Sequence, residues 1–419
     1  MSAHSRWSTK SKNFKPEVIL NRIIESASLT SDERVSYDSA YFEFKDILLN
    51  MIEFMNCDQL APETRGRVFD FALDKHIKAA LSIKKPNKNE LINQINSSLK
   101  DYLKKPSQEF HLVTSISLEG RLPITQITIG GIKLKLHTSG IPKKYRTRKK
   151  FNQQWNRTYE HSPEHYTGVV VSVQARSTTD AFYAALDYLD FIRGVLSFYS
   201  NPGMSISLSG RRNGAINRIR LGGMHTLHEP NGSLAIDQYW YEVDEVKERT
   251  FTFKEETLNQ TSSAIRKIIN KICNIRGGER LRDGIIRYTR ALDDKDSDYS
   301  IIKLWGALES VVNENDNSDI LIRRCSYIYK DHDLVKQIME TAKVYRNRNV
   351  HAGVSSPSAD HISYQIHRIF RSLIFFYVGN KDFKSLNEAN SFLDSPILDG
   401  DIDRKIYLLK KAVRFRNSS

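Results

Sequence analysis

Apolar positions keep a helical period towards both ends of this chain and alternate with polar ones in the middle. Side chains three or four apart share one face of a helix. On that rule Val18, Leu20, Ile23 and Ile24 predict one helix. Val68, Phe69, Ala72, Leu73, Ile77, Ala80 and Leu81 predict a second, and Leu91, Ile92, Ile95, Leu99 and Leu103 a third. Pro62, Pro86 and Pro106 break the pattern. Residues 1 to about 14 are polar and are expected to be disordered. After Pro106, segments 111–118, 124–129 and 132–137 alternate in hydropathy, and Gly130-Gly131 joins the last two as a hairpin turn. Segment 169–173 reads as a more continuously apolar strand. Thr178 or Thr179 then caps a helix over 180–199. Further strands are predicted at 216–221 and 234–243. From about Lys254 the helical period returns and holds to the end. Its most apolar stretch, 362–378, carries Phe370, Leu373, Ile374 and Phe376, suited to a core or to a dimer interface. The fold class that follows is α+β. An N-terminal helical region (1–105) precedes a mixed α/β middle domain (106–253) and a C-terminal all-α bundle (254–419).

Composition adds a charge argument. A hydrophobic content of 40% with 27% charged residues is ordinary for a soluble globular chain. The formal net charge of +14 favours polyanionic partners such as nucleic acid. Cys57, Cys273 and Cys325 are scattered and lack metal spacing, as expected of reduced thiols in a cytoplasmic protein. The first residues lack a secretory signal, and no apolar run approaches ~18 residues, so no membrane association is expected. No metal or cofactor is expected either. His161 and His165, and His225 and His228, have no partners at zinc-like spacing and read as structural loop histidines. Neither a phosphate-cradling P-loop nor a GxSxG elbow occurs, and Ser205, Ser207 and Ser209 merely alternate along a predicted strand.

Two segments carry candidate chemistry. Lys143, Lys144, Tyr145, Arg146, Arg148, Lys149 and Lys150 form a basic run interleaved with aromatics, with Phe151 and Trp155 following. Basic groups neutralise phosphates while aromatic faces stack unpaired bases, a combination suited to single-stranded or loop RNA. The plainer reading is a solvated loop. The second segment is Arg346-Asn347 followed by His351, at the end of a helix predicted over 332–350. Arginine clamps a phosphate as a planar, permanently charged fork, and histidine moves protons near neutral pH. Four residues advance a helix by about 400°, which sets Asn347 and His351 on one face. Arg346 lies about 140° from His351, so its long side chain must reach round. Arg220 and His225 repeat the spacing in a Gly-rich stretch and are taken as coincidence.

Residues from about Glu255 to the end resemble a HEPN domain, most closely the Apea-like group of bacterial defence proteins. The resemblance rests on Arg346-Asn347 with His351, on the preceding helix 301–312 with Glu309, and on Arg287-Tyr288-Thr289-Arg290-Ala291-Leu292. It extends more weakly to 166–199. It implies a metal-independent endoribonuclease acting through 2′-hydroxyl attack on tRNA or mRNA as an antiviral, abortive-infection effector. His351 would be the acid–base group and Arg346 the phosphate clamp. Asn347 would orient His351 or bind phosphate, and Glu309 would hold Arg346. With one motif per chain, a composite cleft implies a homodimer, with a phage-derived signal or regulatory partner acting on the remaining residues. The alternative is a non-catalytic HEPN-type module that binds RNA, nucleotide or a partner protein. A toxin silenced by a nucleotidyltransferase fits less well, because Gly353 stands where that subgroup carries Tyr.

Overall fold

The computed structural model describes residues 4–30, 34–55, 60–83, 87–151, 165–204, 214–242, 250–312, 317–352 and 358–417. Near the N-terminus the three expected helices form as α1 (Pro16–Glu25), α3 (Pro62–Ile83) and α4 (Lys88–Lys104), with α2 (Ser39–Asn50) between them. Proline opens α1, where its missing N–H costs nothing. The Asn87 side chain caps α4 by accepting from the amides of Asn89 and Glu90. Leu20, Ile23, Phe69, Leu73, Ile77, Leu91, Ile95 and Leu99 share one cluster, each at most 1% exposed.

Residues 5–7, expected to be disordered, instead form β1 (Ser5–Trp7), antiparallel to β4 (Ile52–Phe54). Asn96 fixes them: its side-chain oxygen accepts from the amides of His4 and Ser5 at 2.9 and 2.7 Å. β2 (Ala27–Leu29) pairs with β3 (Val35–Tyr37).

The predicted strands of the middle segment appear as β5 (Gln108–Ile116), β6 (Gln126–Ile129), β7 (Ile132–His137), β8 (Thr167–Ala175) and β10 (Leu234–Tyr241), joined by β9 (Met224–His228), which the hydropathy pattern did not predict. They form one antiparallel sheet in the order β10-β9-β5-β8-β7-β6. Ile129 lies opposite Ile132, so Gly130 and Gly131 form the two-residue turn, with φ of 56° and 86°. Such turns need left-handed backbone at both central positions, which glycine adopts without strain. Helix α5 (Thr178–Ser200) is capped one residue earlier than expected, Ser177 Oγ accepting from the Asp180 amide at 3.2 Å.

Segment 216–221 is not a strand; it touches the sheet through a single bridge, Leu221 to Ile116. Side chains occupy its backbone groups. Arg193 Nε and Nη2 donate to the Ile219 carbonyl at 3.1 and 2.9 Å, and Asn217 Oδ1 accepts from the Ile219 amide at 3.2 Å. A backbone group already bonded to a side chain is lost to a ladder.

The chain divides into two units. One comprises Met1–Leu112, Ser172–Leu186 and Leu227–Gln238, the other Val113–Val171, Asp187–Thr226 and Tyr239–Ser419. The second contains α6 (Leu258–Asn274), α7 (Gly278–Asp293), α8 (Ser297–Val312), α9 (Ser318–Tyr327), α10 (His332–Ala352), α11 (Ala359–Gly379), α12 (Leu386–Leu393) and α13 (Asp399–Asn417). Helices α7 and α8 approach so closely that a Cβ on Gly284 would lie 2.4 Å from a Val311 methyl. Phe370, Leu373 and Ile374 of α11 are fully buried, so that face serves the interior.

Candidate functional site

Helix α10 carries the Arg346 motif. Its inward stripe is Val335, Met339, Ala342 and Tyr345, spaced three and four apart and at most 8% exposed. Leu334 and Val344, apolar residues of the same helix, face solvent. The Tyr345 hydroxyl donates to the Asp298 carboxylate at the start of α8, tying the two helices together. Arg346 lies seven residues after Met339, on the edge of the same stripe, and is therefore half-buried.

Arg346 Nη1 donates to the Asn347 side-chain oxygen at 3.2 Å, while Nε is buried without a partner. Among the described residues no carboxylate pairs with this guanidinium. The side chains of residues 350–357, including His351 and Gly353, lie outside the described set; the backbone of His351 is helical. Glu309 is half-buried on the last turns of α8, which packs against α10. Its Oε1 accepts from the Trp305 indole N–H at 2.9 Å, so it holds Trp305 and not Arg346. Two arginines cap the end of α8. Arg280 donates to the carbonyls of Ser310 and Val311, and Arg324 to that of Val312, as suits the negative end of a helix.

The basic run folds as a short 3-10 segment, Lys143–Lys149, that separates its residues by burial. Lys143, Lys144, Arg146, Lys149 and Lys150 are exposed. Tyr145 is 2% exposed and packs with Val113 and Val170, so its ring is not open to stack on a base. Arg148 points inward too. Its Nη2 donates to the Met224 carbonyl at 2.9 Å, its Nε and Nη1 have no partner among the described residues, and burial pushes its pKa down to about 10. Two of the seven residues expected to touch RNA thus belong to the interior. The aromatics support their neighbours: Lys144 Nζ lies 4.8 Å above the Tyr145 ring, and Lys150 Nζ lies 5.3 Å above that of Phe151. Trp155, His161 and the serines at 205, 207 and 209 lie outside the described residues.

Three histidines away from the motif have structural partners. His225 and His228 sit on strand β9 rather than in a loop. His225 bridges Thr114 Oγ1 at 2.7 Å and Glu242 at 2.9 Å, which holds that carboxyl below its ordinary range. His367, fully buried on α11, accepts the Tyr288 hydroxyl at Nδ1 at 2.7 Å. Burial drives its pKa down to about 4, so it stays neutral near pH 7.

Sequence reasoning missed one cluster. Arg193, 0% exposed, donates to Asp190 and Asp293, both at 2.7 Å, and Asp190 also receives Arg290 at 2.8 Å. Among the described residues no group of three or more His, Cys, Asp and Glu is placed to hold a metal ion. Nor is any described helix long and apolar enough to cross a membrane. Clefts of about 750 and 510 Å³ lie elsewhere, the larger between α3 and α4, and neither includes Arg346 or Asn347. The chain matches no protein-family model, no curated protein and no solved structure in the comparisons made with each.

Proposed function

We propose that the chain is a metal-independent endoribonuclease of HEPN type, with residues 254–419 as its catalytic, HEPN-like region. One observation carries the reading. Arg346 is half-buried with a neutral amide as its partner and, among the described residues, no carboxylate, and His351 follows little more than one turn later on the same helix. A guanidinium already neutralised by Asp or Glu binds a second anion poorly; this one keeps its charge for a phosphate. In the reaction, His351 of one chain takes the proton of the 2′-hydroxyl as that oxygen attacks the adjacent phosphorus. Arg346 stabilises the charge that develops on the phosphorane. The P–O5′ bond breaks, the leaving oxygen takes a proton from His351 of a second chain, and the products end in 2′,3′-cyclic phosphate and 5′-hydroxyl. Asn347 holds the guanidinium in register, and the exposed lysines and Arg146 of 143–150 draw in RNA by charge. The homodimer, a tRNA or mRNA target, a cytoplasmic setting and a role in antiviral defence belong to the same proposal.

The bond from the Trp305 indole to Glu309 favours a second reading, because it engages Glu309 away from Arg346. On that reading the helical region binds RNA or a protein without cutting it. Incubation of the purified protein with total RNA in EDTA separates the two. The nuclease reading expects fragments with cyclic or 3′-phosphate ends; a strict magnesium requirement or 5′-phosphate ends would overturn it. RNA bound and left intact would establish the binding module.

A further inference from the structure

Helix α13 (Asp399–Asn417) buries none of its residues. It nevertheless carries large apolar side chains: Ile406 is 44%, Leu409 59%, Val413 59% and Phe415 74% exposed. A helix of this length is marginal alone in water, and most helical stability in proteins comes from packing an apolar face. Ile402, Ile406, Leu409 and Val413 follow a 4-3-4 spacing, the seam of a two-stranded coiled coil, and fall within about 60° of one another around the axis.

We infer that α13 is an interface, and that its occupant is α13 of a second copy of this chain, running antiparallel. The charges select both partner and direction. Asp399, Asp401 and Asp403 occupy the first turns, while Lys405, Lys410, Lys411, Arg414 and Arg416 follow. Asp399 and Arg416 extend the seam at its two ends, and Asp403 and Lys410 flank it on one side. In an antiparallel pair Ile402 meets Val413 and Ile406 meets Leu409. Asp399 then faces Arg416, and Asp403 faces Lys410, each pair occurring twice by the twofold axis. In a parallel pair Asp399 would face Asp399, Arg416 would face Arg416, and Lys405 would flank Lys410. Those like-charge meetings oppose association. An anionic membrane surface fits less well: the acidic first turns would be repelled, and Tyr407, Leu408 and Phe415 stand outside the seam, so the apolar and charged faces are poorly segregated. The pairing deepens the homodimer of the nuclease reading but follows from α13 alone.

Sedimentation velocity on the full chain, over roughly 1 to 100 μM, reads it directly. The wild type should sediment as a dimer, and Ile406→Asp with Leu409→Asp as a monomer whose loss of helical circular dichroism does not exceed what the 19 residues of α13 contribute, since neither residue is buried. Asp399→Arg with Asp403→Lys should weaken dimerisation by about tenfold or more. Adding Lys410→Asp and Arg416→Asp should restore it. A monomeric wild type, a dimer that survives Ile406→Asp with Leu409→Asp, or a charge reversal that fails to restore association would overturn the proposal. RNA cleavage assayed on the same samples reports on the nuclease reading separately, because cleavage by a monomer and dimerisation without cleavage are distinct outcomes.

Discussion

Arg193 and Arg346 are the same side chain put to opposite uses. Arg193 is sealed from solvent and fully answered, with Asp190 and Asp293 at 2.7 Å and the Ile219 carbonyl taking two further N–H groups. Burial alone would disfavour its charge, but the two aspartates outweigh that and raise its pKa above the ordinary value. Among the described residues the half-buried Arg346 meets an amide oxygen and no carboxylate, and its Nε has no partner. An arginine with its counter-charges in place is a structural clasp, whereas one held in position without them can bind an incoming anion. Arg148 is a third case, buried on a single carbonyl. Its position suits neither role well.

The largest expected effect lies at the clasp. Arg193→Met removes the cation shared by Asp190 and Asp293, leaving Asp190 on Arg290, and should cost about 3 kcal/mol. Arg346→Ala, on a half-buried surface with one weak partner, should cost under about 1 kcal/mol. Chemical denaturation of the two variants checks the contrast; equal losses would make Arg346 a structural residue as well.

His367 supplies a pH test of the same interior. Its folded pKa of about 4 lies below the ordinary 6.5, so the unfolded chain binds a proton first as pH falls. The stability this group contributes is complete above pH 6.5 and should be lost between 6.5 and about 4, by at most about 3 kcal/mol. His367→Gln should flatten stability across that window. A wild type equally stable at pH 6.5 and 4.5 would remove the claim.

The smallest effect concerns the 143–150 segment. Neutralising Lys143, Lys144, Arg146, Lys149 and Lys150 should reduce the salt slope of RNA binding, by up to ~0.7 for each phosphate left without its cation. Arg148→Gln should leave that slope unchanged, because Arg148 faces Met224 rather than solvent. Filter binding at several ionic strengths decides; a slope that moves with Arg148 and not with the five exposed residues would reverse the assignment.

Local rules carried much of the fold. The apolar period of 332–350 located α10, and Gly130-Gly131 located its hairpin turn. What escaped them was long-range. Ser5–Trp7 became a strand because Ile52–Phe54 and Asn96 receive it, and 216–221 stayed out of the sheet because Arg193 holds Ile219. Tyr145 and Arg148 looked like part of a solvated run because one dimension gives no sign of which two members turn inward. At the candidate site, the sequence supplied Arg346, Asn347 and their helix. The bond from Trp305 to Glu309 depends on side-chain positions that no spacing rule contains.

The contrast between the two arginines is tested most directly by the rate of RNA cleavage in EDTA for wild type, Arg346→Ala and His351→Ala at matched protein and RNA concentrations. The account predicts cleavage by the wild type and a loss of ~10²-fold or more in each variant, with folding intact. Near wild-type cleavage by either variant would contradict it.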